Sequence, residues 1–198
     1  VKKVSSKITE KTTRQFMAEV SDAHHAMAGA VIAASAAQAA ALGEACLQIS
    51  LDNQVDKLDW TSVSARIEQM AHIKATLAEW CDQDAVAISE HVALREVGDQ
   101  SSGEQLLCES PAEISRLAIE AAMLLQEFRP LVFEQVQDDL EMAISLLTGS
   151  GRAAILLLDS NLRIWSDNSA LLVEYEPILA ELLKQVDRLT PKSRIRTS

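Results

Sequence analysis

The 198 residues carry 29 Asp and Glu against 18 Lys and Arg, a formal charge of −11 at neutral pH. Binding to a nucleic-acid backbone relies on Lys and Arg neutralising phosphates, so this balance excludes nucleic acid as the expected partner. Six Gly and four Pro leave little turn chemistry for an all-β chain, and with 4% aromatic residues the core must be filled by Leu, Ile, Val and Ala.

The expected fold is all-α, a single up-and-down helical bundle over residues 12–189, with a flexible N-terminal tail over 1–11 and a basic tail over 190–198 that carries Lys192, Arg194 and Arg196. Thr12 followed by Gln15 reads as a capping box opening a short helix over 13–22, with Phe16, Met17 and Val20 inward. Residues 26–42 hold no charge and no Pro, and Ala is their commonest residue. Ala loses almost no side-chain entropy in a helix, and its small size lets neighbouring backbones approach. This stretch is therefore expected to be a buried core helix reaching about residue 50. A membrane span is disfavoured by Ser35, Gln38 and the scarcity of Leu, Ile and Phe.

Residues 51–58 read as a loop. A long helix to about residue 94 follows, with Val63, Ile67, Met70, Ile73, Leu77, Trp80, Asp84, Ala87, His91 and Leu94 on one stripe. An acid, Asp84, stands among the apolar groups of that stripe. Residues 95–110 read as a loop, ended by Ser110-Pro111-Ala112-Glu113, where Ser at N-cap, Pro at N1 and Glu at N3 open a helix to about residue 128. Pro130 opens another over 131–147, and Thr148-Gly149-Ser150-Gly151 is expected to break or kink the chain before a further helix over 152–162. A last helix spans 169–188, kinked or divided near Pro177.

No metal site is expected. Glu68 and His72 read as a surface pair at i and i+4, while the adjacent His24 and His25 diverge on any regular element. Cys46, Cys81 and Cys108 lack CxxC spacing and suggest neither a disulfide framework nor zinc, and with no leader-like opening a reducing, cytoplasmic setting is the expectation. Ser150-Gly151-Arg152 lacks the spacing of a phosphate loop. Within the helix after Pro130, taking Leu131, Met142, Ala143 and Leu146 as inward puts Asp139 on or near the same face, as a buried structural acceptor or a site residue.

Several of these pieces, in order, resemble the cyclodeaminase/cyclohydrolase family: the folate-processing domain of formiminotransferase-cyclodeaminase and stand-alone methenyltetrahydrofolate cyclohydrolases. Phe16 falls at the family's Phe-Leu opening, and residues 29–42 are similar without gaps to its Ala-rich helix. Asp84-Ala85 looks like the Asp-Ala ending the second long helix, and Ser110-Pro111 with Ile114 and Leu117 like the Pro-led third helix. Asp139, Ala143 and Asn161-Leu162 follow the pattern of its later part. The family's glycine-rich loop is reduced to Gly29, after His24-His25-Ala26-Met27-Ala28.

The resemblance implies a homodimer acting on a small molecule, a tetrahydrofolate one-carbon derivative, with no tightly bound cofactor. The reaction is loss of ammonia from a formimino group with closure of the methenyl ring, or hydrolysis of that ring. Asp139 is the expected catalytic group, with Gly29, Asn161 and Arg152 binding substrate. One alternative is a catalytically degenerate relative kept as a dimeric scaffold or binding subunit. Another is an assembly bundle that binds a protein through residues 155–158.

Overall fold

A computed structural model describes residues 7–23, 27–53, 59–96, 101–165, 167 and 169–196. Six α-helices, α1 (Thr13–Asp22), α2 (Ala28–Asn53), α3 (Trp60–Glu96), α4 (Ser101–Phe128), α5 (Gln137–Ile164) and α6 (Ser169–Val186), account for the fold, with no strand among the described residues. The four long helices form the bundle. Each of α2 and α4 packs against both α3 and α5, and α6 lies on α4 and α5.

The Ala-rich helix is a core member, as expected. Ala30, Ala33, Ala36 and Ala40 are fully buried, so its backbone comes close to α3 and α5. Its outer stripe, Val31, Ser35, Gln38, Ala41 and Ala45, is exposed and uncharged. Both α2 and Glu134–Ile164 are long and apolar enough to cross a membrane by length and composition, with 44% and 56% of their apolar windows buried within the bundle. On α3 the expected stripe is inward: Val63, Met70, Ile73, Leu77, Asp84 and Ala87 are all buried.

Several boundaries differ from the sequence reading. The capping box on α1 is present, but Met17 is 63% exposed while Phe16 and Val20 pack on the core. α2 reaches Asn53, and α4 begins at Ser101 rather than Ser110. Pro130 sits in a 3-10 turn, Arg129–Leu131; a second turn follows at Glu134–Val136, and α5 starts only at Gln137. α5 then runs unbroken through Gly149 and Gly151. Gly151 serves packing there: a Cβ would lie 3.2 Å from Ile119 Cγ1, and the Gly151 carbonyl accepts from Ser115 Oγ of α4 at 3.2 Å. α6 likewise contains Pro177 without being divided.

Parts of both expected tails are fastened. Ile8 is buried, and Thr9 donates from its N–H and hydroxyl to Asp82 at 3.0 and 2.7 Å. Leu189 is buried, Thr190 donates from its N–H and hydroxyl to Gln126 Oε1, and Lys192 Nζ lies 3.3 Å from the buried Glu141.

Candidate functional site

Two of the polar groups that the fold turns inward, Asp84 and Ser110, meet at one end of the bundle. Asp84 is 3% exposed. Its Oδ2 accepts the Ala30 N–H at 2.8 Å, so a carboxylate from α3 caps the first turn of α2. Its Oδ1 accepts from Ser110 Oγ of α4 at 3.1 Å. Gly29 makes this approach possible, since a Cβ there would lie 2.1 Å from Asp84 Oδ1. The glycine's open side is thus filled by the protein's own acid.

Pro111 explains a second link in the cluster. Lacking an N–H, it leaves the carbonyl four residues back, on Leu107, without its helical partner. Asn161 Nδ2 of α5 donates to that carbonyl at 2.6 Å. The Ser-Pro pair therefore builds an inter-helix junction inside α4 instead of opening the helix. Two turns beyond Asp84 on α3, the partly buried His91 meets Trp165 edge to face, with ring centroids 5.7 Å apart. His91 Nδ1 has no hydrogen-bond partner among the described residues.

Burial raises the Asp84 pKa above its ordinary 3.8, against the lowering effect of the Ala30 and Ser110 hydrogen bonds. The folded state then holds this proton at pH values where the unfolded chain has released it, so the group's contribution to stability falls as pH rises above about 4. Asn at this position can accept from Ala30 and donate to Ser110 Oγ without a charge. Asp84→Asn is therefore expected to fold, and the melting temperature of the wild type relative to this variant should decline as pH is raised from 4 to 7. A constant difference across that range would contradict the assignment. Burial pushes the thiols of Cys81 and Cys108 both up to about 12, which disfavours the thiolate.

Of the residues expected to form the site, Gly29 lies against Asp84, and Asn161 joins α5 to α4 at Leu107, three residues before Ser110. Asp139 is exposed, because the inward face of α5 is set by Leu140, Ala143, Ile144 and Leu147, whereas Met142 and Leu146, taken as inward anchors, are 50% and 55% exposed. Asp139 and Asn161 are also 22 residues apart on one helix, about 33 Å along its axis. Arg152 is exposed and lies 3.7 Å from Asp187 at a solvated pair. His24 and His25 lie outside the described residues, and Glu68 and His72 are exposed. Among the described residues no group of three or more His, Cys, Asp or Glu is placed to hold a metal.

Ser110 and His91 were not read as site residues from sequence. The available signal was Asp84 itself, an acid within an apolar stripe. The expected protein-binding segment is largely internal: Ile155 and Leu158 are buried, while Leu156 is 68% exposed.

A family model described as formiminotransferase-cyclodeaminase matches residues 12–172, a span that includes Gly29, Asp84, Ser110 and Asn161. Comparison with curated proteins finds no match.

Proposed function

Because the chain belongs to the formiminotransferase-cyclodeaminase family, we propose that it acts on a tetrahydrofolate one-carbon derivative, by formimino cyclodeamination or methenyl hydrolysis, at the Asp84 end of the bundle. In the first reaction a ring-forming nitrogen attacks the formimino carbon and its C–N bond to ammonia breaks. In the second, water adds to the methenyl carbon, a C–N bond of the ring opens and a proton is released. Both pass through a cationic one-carbon unit and need a proton moved beside it. The buried acid carries this reading: Ser110 and the α2 N-terminus fix the orientation of the Asp84 carboxyl, and burial, by favouring its protonated form, suits it to exchange a proton with the reacting one-carbon unit.

Hydrolysis of methenyltetrahydrofolate, followed by its absorbance, is the test. Asp84→Asn should lower the rate by about 10²-fold or more while leaving the fold intact, and Asp139→Asn should leave it unchanged. Wild-type protein no faster than buffer would remove the reading.

A second reading, a non-catalytic family member, is favoured by one observation. Met27 is buried and Asp84 fills the space beside Gly29, the one glycine kept from the family's loop. It requires that reduced folates leave the melting temperature unchanged, whereas ligand at 100 times Kd would stabilise the protein by about 2.7 kcal/mol.

The same proposal includes a homodimer. Met142, Leu146 and Leu156 on α5, with Val31 and Ile49 on the adjacent α2, leave exposed apolar groups on two packed helices. Light scattering should give twice the chain mass, and Leu146→Lys should reduce it towards one; a monomeric wild type would contradict the dimer.

A further inference from the structure

A groove of about 360 Å³ lies between α3, α4 and the end of α6, far from the Asp84 cluster. Arg66, which lines it, is 18 residues from Asp84 along α3, about 27 Å. In a chain with an excess of eleven acids, three arginines, Arg66 from α3, Arg116 from α4 and Arg188 just past α6, outnumber the two acids, Glu120 and Glu127, that line this groove. Ile119, Met123 and Leu124 supply an apolar part of its wall.

The three cations are held unequally. Arg116 is anchored, donating to Glu113 at 3.0 and 2.8 Å and to Glu120 at 3.0 Å. Arg66 reaches the Leu124 carbonyl and Glu127 only at 3.4 Å each, and Glu127 is 60% exposed, so that pair is solvated and weak. Arg188 is exposed and has no carboxylate partner among the described residues. Arg188 is therefore free to turn towards a ligand and Arg66 is only weakly held from doing so, and guanidinium forks match carboxylate and phosphate oxygens.

The geometry points to a second ligand site in this groove, taking a small organic anion in which one carboxylate or phosphate is joined to an apolar ring or chain. The anion meets Arg66 and Arg188, and the apolar body lies against Met123 and Leu124. This volume falls within the usual range of small-molecule sites, which pair apolar walls with a few placed polar groups. The inference does not depend on the proposed reaction at Asp84.

Isothermal titration of the full chain with 2-naphthoate, 2-naphthyl phosphate and neutral 2-naphthol tests it. At least one anion is expected to bind about tenfold or more tightly than naphthol, and the preferred anion identifies the carboxylate or the phosphate class. Arg66→Gln combined with Arg188→Gln should weaken that anion about tenfold or more, while Arg14→Gln, on the exposed face of α1, and Asp84→Asn should not. Binding of naphthol as tight as the anions, an unchanged Kd in the double variant, loss of binding in Asp84→Asn, or no binding of either anion at about 1 mM would each overturn the assignment.

Discussion

Gly29→Ala is expected to lower the melting temperature by about 10 °C. The added Cβ would stand 2.1 Å from Asp84 Oδ1, 2.3 Å from Cγ and 2.6 Å from Oδ2, so the whole carboxylate lies within the clash. Asp84 is short and 3% exposed, and it cannot swing into water. Either it leaves both Ala30 N–H and Ser110 Oγ unpaired, or the start of α2 moves off α3. Overpacking at about 1–3 kcal/mol and a buried unsatisfied polar group at about 1–3 kcal/mol combine to about 4 kcal/mol.

Gly149→Ala is the matched control. Nothing lies within 4 Å of its added Cβ, and a mid-helix Gly is about 1 kcal/mol poorer than Ala, so this variant should melt higher than wild type. Coupling isolates the cause. In an Asp84→Ala background the cost of Gly29→Ala should nearly vanish, because the atom it strikes is gone. Equal costs in both backgrounds would show that the clash with Asp84 is not what Gly29 avoids.

How far the sequence reached follows from which signals were local and which were not. The stripe on α3 is a long, regular pattern in which each apolar position repeats the same statement, so its inward face was legible, Asp84 included. Ser110-Pro111 gave a strong local signal with the wrong meaning. The Leu107 carbonyl that Pro111 leaves open is satisfied by Asn161, 54 residues away in sequence, and that partner lets α4 continue. The phase of α5 failed for a related reason. Met142 and Leu146 are apolar but exposed, and anchoring the helix on them rotated Asp139 inward. Glu141, the residue that does turn inward at the start of α5, could not be found from spacing, because its partners come from outside the helix.

Those partners make Arg129→Met the second large expected effect, a loss of about 3 kcal/mol in urea unfolding. Glu141 is 2% exposed, and Arg129 holds it in a fork, with Nε to Oε1 at 2.6 Å and Nη2 to Oε2 at 3.0 Å. The same Nη2 donates to the Thr190 carbonyl at 3.0 Å, tying the chain after α6 to the start of α5. Removing the guanidinium leaves a buried carboxylate with only Lys192 at 3.3 Å, whose side chain is 39% exposed and more easily drawn into water. A buried charge stripped of its main partner costs about 3–5 kcal/mol, and Lys192 keeps the loss at the lower end. Desolvating the pair is itself expensive, so the charges need not favour the fold over an apolar substitute of similar size. Arg129→Met with Glu141→Leu should therefore recover most of the loss and unfold within about 1 kcal/mol of wild type. If the double variant were as unstable as the single one, the cost would lie in the lost Thr190 contact and not in the stranded carboxylate.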